Sequence, residues 1–245
     1  MSGQNEVTRL GANSAMDSED TSHQECVLEV RDLTAGYGDL AAIRNVSITL
    51  RAGEIVALLG PNGAGKTTTI SAIVGDLPRM SGDVVYLGQS VRLPLHKMVQ
   101  RGVSLVPGER AIFMNQSVLD NLKIAGNVDE TLAIFPELKQ LLRRRAGMLS
   151  GGEQQMLSVG RALAARSRLM LIDELSVGLA PLVVERLLAV VQDVARREGT
   201  AVLLVEQQVS RALAVADRWY LLRRGSIVAE GRSDEAGELW ESYVG

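Results

Sequence analysis

Gly60-Pro61-Asn62-Gly63-Ala64-Gly65-Lys66-Thr67-Thr68 decides the fold. Glu54-Ile55-Val56-Ala57-Leu58-Leu59 runs into it, an apolar run of strand length. Thr68 to Val74 leaves it with the look of a helix's first turns. A strand entering a glycine-rich loop and a helix leaving it fit the phosphate-binding pattern G-x-x-x-x-G-K-[ST]. Glycines let the backbone approach an anion and take positive φ without a Cβ clash. The loop amides then point inward as a nest, and the helix N-terminus adds partial positive charge. Lys66 brings a full positive charge to the β- and γ-phosphates, and the Thr67 hydroxyl is placed for Mg²⁺.

A second stretch repeats that logic. In Leu149-Ser150-Gly151-Gly152-Glu153-Gln154-Gln155, Ser150 is an N-cap type and Glu153 completes a capping box for a helix to about Ala165. Two adjacent glycines weaken a helix start by roughly 1 kcal/mol each relative to alanine. In exchange they allow close approach to the helix N-terminus, by an anion above all. A third stretch, Leu169-Met170-Leu171-Ile172-Asp173-Glu174, reads as a buried parallel strand ending in paired carboxylates. Ligands sit at that end of open α/β sheets. One carboxylate there can hold Mg²⁺ and its neighbour can act on an attacking water.

The remaining chain is organised around these three. Residues 1–25 are polar and aperiodic and read as a disordered tail, with His23 solvated. Val27 to Val30 and Val46 to Leu50 alternate as half-buried strands, with Ala35-Gly36-Tyr37-Gly38 as a turn between them. Tyr37 is either packing or a stacking face for a base. Val84 to Leu87 and Val103 to Val106 read as strands. Val118 to Ile124 and Glu130 to Arg145 read as helices, the latter broken at Pro136. Arg143-Arg144-Arg145 reads as a solvated helix end, with an acidic partner or membrane headgroups as the alternative. Pro181 to about Arg197 is a helix and Ala201 to Val205 a buried strand capped by Glu206-Gln207-Gln208. Trp219 to Leu222 and Ser226 to Ala229 form a closing hairpin. His96 has no companion ligand and reads as structural.

Composition bounds the function. The chain has 245 residues, 46% apolar and 22% charged, enough for a substantial core. A net charge of −3 and 3% aromatic content argue against a nucleic-acid partner. The single cysteine, Cys26, allows no intrachain disulfide. No stretch approaches the roughly 20 apolar residues of a membrane span. The chain therefore reads as cytoplasmic, peripheral to a membrane only through partners.

In this order, phosphate loop, Leu-Ser-Gly-Gly-Glu helix start and apolar run ending Asp-Glu resemble the ATP-binding subunits of ABC transporters over about residues 27–245. Finer features are similar to the branched-chain (hydrophobic) amino-acid importer subfamily. They are Arg145-Ala146-Gly147 running into Ser150 to Leu157, Gly178-Leu179-Ala180-Pro181, Leu204-Val205-Glu206-Gln207 and Ser242-Tyr243-Val244-Gly245. The resemblance implies an α/β fold: a P-loop NTPase (RecA-like) core, an N-terminal antiparallel β subdomain and a helical signature subdomain at about 91–148. It implies two ATP-binding subunits, identical or homologous, paired head to tail. Each ATP would lie between Gly60 to Thr68 of one chain and Ser150, Gly151, Gly152 and Glu153 of the other. Tyr37 would stack adenine, and Thr67 and Asp173 would serve Mg²⁺. Lys66, Glu174 and Gln207 would form the catalytic set, Glu174 polarising the water, and Ser176 to Pro181 would cross the dimer interface near it. The partners implied are membrane permease subunits and, indirectly, a soluble substrate-binding protein.

Three positions depart from the family pattern. Val106-Pro107-Gly108-Glu109-Arg110 falls where most relatives place a glutamine; the favoured subfamily has Pro-Glu-Gly, so Gly108 and Glu109 look interchanged. Gln207 stands where most relatives carry histidine, as it does in the favoured subfamily. Leu175 replaces a usual proline. Motors for urea or amides resemble this chain too, and so does a subunit that binds ATP and hydrolyses it weakly. DNA-repair relatives need a coiled coil longer than the about 80 residues between loop and signature, and translation relatives usually carry two cassettes.

Replacing Tyr37 with alanine is expected to weaken ATP and GTP alike, because base–aromatic stacking is worth roughly 1–3 kcal/mol and tolerates any base. Nucleotide titration checks it; an unchanged Kd assigns Tyr37 to packing.

Overall fold

The computed structural model describes residues 25–109 and 111–236. The strands are β1 (Cys26–Tyr37), β2 (Leu40–Arg51), β3 (Ile55–Leu59), β4 (Arg79–Tyr86), β5 (Gln89–Ser90), β6 (Val103–Val106), β7 (Leu169–Asp173), β8 (Ala201–Glu206), β9 (Arg218–Arg223) and β10 (Ser226–Arg232). The helices are α1 (Lys66–Ile73), α2 (Leu95–Gln100), α3 (Val118–Ala125), α4 (Val128–Ile134), α5 (Gly151–Ala164), α6 (Pro181–Glu198) and α7 (Val209–Leu213). An antiparallel sheet has the order β2-β1-β4-β5. The larger sheet runs β10-β9-β3-β8-β7-β6, parallel from β9 to β6 with β10 antiparallel at its edge. This is the expected α/β, P-loop NTPase architecture.

Strand periodicity explains why the central parallel strands β3, β7 and β8 are apolar up to their ends. Successive side chains of a strand point to opposite faces. Ile55, Ala57 and Leu59 of β3 therefore join one core with α5, α6 and the helical segment. Val56 and Leu58 join the other, between this sheet, α1 and the antiparallel sheet. Met170 and Ile172 against Leu169 and Leu171, and Val202 and Leu204 against Leu203 and Val205, divide the same way. A strand covered on both faces has no place for a polar residue except at its ends. The paired acids after Ile172 and Glu206 after Val205 are the result.

Several local readings shift. Ala35, Gly36 and Tyr37 continue β1 instead of turning; Tyr37 pairs with Leu40, and the turn is Gly38-Asp39. The shift follows from Gly36, where a Cβ would lie 1.9 Å from the Leu40 carbonyl oxygen, so only glycine lets the strands approach there. Val103–Val106 is a strand as its sequence reads: it forms β6, hydrogen-bonded to β7 in the large sheet, although it falls within the bounds of about 91–148 expected for the helical subdomain. The longer helical stretch breaks at Pro136 as expected: α4 ends at Ile134, and a 3-10 helix, Pro136–Leu141, follows and stops short of Arg145. Arg143, Arg144 and Arg145 are thus exposed in the connection after that 3-10 helix, where Arg145 forms an antiparallel bridge with Ser117, and not at the end of an α-helix. Of the expected tail, only Glu25 is among the described residues; its carbonyl accepts from the Ala52 amide. His23, Arg110 and Ser242 to Gly245 lie outside them.

Phe135 joins the helical segment to the rest. It is fully buried in the core that also holds Leu138, Leu157 and Val159. Gly160 of α5 passes so close that a Cβ would sit 3.1 Å from its ring. Truncation to Phe135→Ala is expected to cost about 3–5 kcal/mol, read as a lowered urea midpoint.

Candidate functional site

The phosphate loop joins β3 to α1, as the sequence predicts. Gly65 is the N-cap of α1 at φ 107°, and no side chain caps the helix, so its first amides are not met by a cap. A Cβ on Gly65 would lie 2.6 Å from Ile43 Cγ2, so the strained φ and the close packing both demand glycine. The β9–β10 turn braces the loop: the Gly225 amide donates to the Ala64 carbonyl, and the Gly225 carbonyl accepts from Arg44 of β2. Nothing in the sequence pattern signalled that brace.

Lys66 is 4% exposed. Its ammonium donates to the carbonyls of Gly60 at 2.9 Å and Pro61 at 3.2 Å, and pairs with Glu174 at 3.3 Å. Ala64 and Thr68 are buried, whereas Pro61, Asn62, Gly63 and Thr67 are exposed on the loop. The Thr67 hydroxyl bonds the Asp173 carboxylate. Loop, α1 and the end of β7 therefore meet at one edge of the sheet.

Asp173 is buried, and its Oδ1 has no hydrogen-bond partner. Burial pushes its carboxyl above the ordinary aspartate value, with the Thr67 bond opposing, Glu174 adding and Lys66 opposing. An orphaned buried carboxylate oxygen beside a threonine hydroxyl fits a hard divalent cation such as Mg²⁺. That ion takes one or two protein oxygens and completes its shell with water and phosphate. Among the described residues there is no cluster of three or more His, Cys, Asp or Glu able to hold a metal by itself.

Glu174 follows Asp173 at φ 47°, an uncommon conformation for a residue with a side chain. Its amide donates to the Val205 carbonyl, and its carboxylate turns to Lys66. Leu175 is buried in the large core, which accounts for an apolar residue at that turn. Gly108 backs the acids: a Cβ there would be 3.3 Å from the Asp173 carbonyl oxygen and 3.7 Å from Glu174 Cβ. Gln207 stands just past β8 with its side chain exposed. One residue that sequence reading left without a role sits among them. Glu206, 1% exposed, accepts from both the amide and hydroxyl of Ser176. Its only sequence signal is a charge directly after five apolar residues.

The signature helix start forms as expected but apart. Ser150 caps α5 and Glu153 completes the capping box. Gly152 lies against Val183, where a Cβ would come to 3.3 Å. No hydrogen bond or ion pair among the described residues joins Ser150, Gly151, Gly152 or Glu153 to the loop or to Asp173 and Glu174. Tyr37 is 66% exposed at the tip of the β1–β2 hairpin, so it is not core packing.

Sheet order, loop and strand-end carboxylates define a P-loop nucleoside triphosphatase. A family model described as ABC transporter matches residues 43–177. The chain is 40% identical over 203 residues to the high-affinity branched-chain amino acid transport ATP-binding protein BraG of Pseudomonas aeruginosa, covering 78% of this chain and 87% of that one. It is 35% identical over 221 residues to the lipopolysaccharide export system ATP-binding protein LptB of Escherichia coli, covering 85% and 91%. A solved ATP-binding subunit of an ABC transporter superposes with a TM-score of 0.78 at 26% identity, covering 89% of this chain and 98% of that one. The chain belongs to the ABC transporter family, as an ATP-binding subunit that hydrolyses ATP.

The Glu174→Gln variant is expected to bind ATP while losing at least 100-fold in turnover, on the order of what a general base contributes. The amide keeps the shape of the carboxylate and cannot take the water's proton. Steady-state phosphate release beside nucleotide titration checks it.

Proposed function

We propose that the chain is the motor of an importer for branched-chain or other hydrophobic amino acids. The observation carrying this is the 40% identity to BraG, joined by 34% identity over 224 residues to a probable branched-chain amino acid transport ATP-binding protein, LivF, of Archaeoglobus fulgidus. A second reading, the motor of a lipid exporter, has the 35% identity to LptB behind it.

In either case the same residues act. The α1 amides and Lys66 bind the β- and γ-phosphates, and Tyr37 stacks the base. Thr67 and Asp173 hold Mg²⁺, which screens phosphate charge when bound. Glu174 leaves Lys66 and orients a water toward the γ-phosphorus, taking up its proton as the bond to the leaving oxygen breaks. Gln207 offers the γ-phosphate a neutral hydrogen bond. Ser150 to Glu153 lie apart from their own chain's loop, which favours a head-to-tail pair in which each signature helix start completes the partner's site.

No helix among the described residues is long and apolar enough to cross a membrane, so coupling to transport needs a permease. A groove of about 490 Å³ between α2, β6 and α5 offers a place for it. Val99 and Ile124 are exposed on its rim.

Disrupting the gene in its host is expected to abolish high-affinity uptake of radiolabelled leucine, isoleucine and valine. The parental gene should restore it and the Glu174→Gln gene should not. Unchanged uptake together with a defect in envelope lipid export would favour the second reading.

A further inference from the structure

Glu206 holds both of its oxygens on one residue across the sheet edge. Ser176 donates its amide to Oε1 at 3.0 Å and its hydroxyl to Oε2 at 2.8 Å. The Gln207 amide is a third donor to the same carboxylate. Next to this, the Glu174 amide donates to the Val205 carbonyl at 2.9 Å, extending the β7–β8 ladder one step past Asp173. The chain then leaves Glu174 in the left-handed region and returns at Ser176 to meet Glu206.

Three donors converge on one group. A carboxylate accepts from all three as they stand; a glutamine amide has a single acceptor oxygen, and its Nε2 would meet Ser176 only after that hydroxyl had turned from donor to acceptor. Burial opposes the charge: it pushes the Glu206 carboxyl above the ordinary glutamate range, against the Ser176 and Gln207 bonds, with the Glu174 charge adding. No cation pairs with Glu206 among the described residues. A buried, unpaired carboxylate is a costly way to cap a strand, and a neutral residue would serve a purely structural end better.

We infer that Glu206 is a positioning residue for hydrolysis, clamping the turn after Glu174 to the loop that carries Gln207 so that both side chains meet the γ-phosphate in register. This rests on the reading of Glu174 as the residue that activates water. Neither Glu206 oxygen needs to touch ATP. Removing the clamp frees Ser176, and Glu174 two residues before it loses the geometry that aims its carboxylate. Nucleotide binding by the loop and Tyr37 does not pass through the clamp.

The test measures steady-state ATP hydrolysis and nucleotide affinity of the full chain, well below the melting temperature of each variant. Glu206→Gln is expected to lower kcat about tenfold while KM for ATP stays within about twofold, as for an interaction that matters only in the transition state. Ser176→Ala removes the hydroxyl donor alone and is expected to lower kcat about threefold, also at constant KM; it carries the test if Glu206→Gln fails to fold. The double variant should be no slower than Glu206→Gln alone, since the two share one interaction. Full kcat in Glu206→Gln, or multiplicative losses in the double variant, would overturn the inference. Glu174→Gln, run alongside, separates the two claims. If it is inactive while the clamp variants are fully active, the inference fails alone. If it keeps parental turnover, the reading of Glu174 fails and the clamp's role falls with it.

Discussion

Side-chain alternation in the parallel strands is the constraint on which the rest depends. With one set of side chains in each apolar core, β3, β7 and β8 can carry polar groups only where they end. Parallel orientation puts those ends at one edge. The phosphate loop, Asp173, Glu174 and Glu206 all fall there for that reason. The chemistry follows from chain direction and period as much as from residue type.

Electrostatically, this edge is unbalanced. One buried ammonium, Lys66, faces Glu174 at 3.3 Å, with Asp173 and Glu206 close behind. Burial raises the carboxyls of both Asp173 and Glu206. Each is stabilised by dipoles more than by charge, Asp173 by the Thr67 hydroxyl and Glu206 by Ser176 and the Gln207 amide. A surplus of acid at a phosphate site makes sense where a divalent cation accompanies the phosphate. The phosphate-binding role proposed for Lys66 would draw it from Glu174, its partner at 3.3 Å, which favours a site that rearranges as nucleotide enters.

Relatives with different cargo share this apparatus. BraG and LptB are named for amino-acid transport and lipopolysaccharide export, yet this chain aligns with most of each. Hydrolysis and cargo are therefore separable in the proposed reading, which gives the first to the strand-end residues and leaves the second to surfaces that would meet other subunits. Gly108, pressed against Asp173 and Glu174, sits between these concerns. It follows β6, which borders the groove beside α2, and it touches the backbone of the acid pair.

Much of the site was legible from residue order alone, because its pieces are local. A glycine-rich loop between strand and helix, a capping box at Ser150 and Glu153, and an apolar run ending in two acids each declare themselves within ten residues. Their physics needs only neighbours in sequence. Helix and strand identities followed from the same short-range periods, including the break at Pro136, with errors where a close backbone approach at Gly36 extended a strand and where the helical stretch ended at Leu141 instead of Arg145. What tertiary structure alone decided are contacts between residues far apart in the chain. Gly225 bracing Ala64, Phe135 packed under Gly160, and Glu206 gripping Ser176 thirty residues away are of that kind. No period or spacing encodes them, since they exist only once the parallel sheet has brought β7 beside β8 and the closing hairpin beside β3.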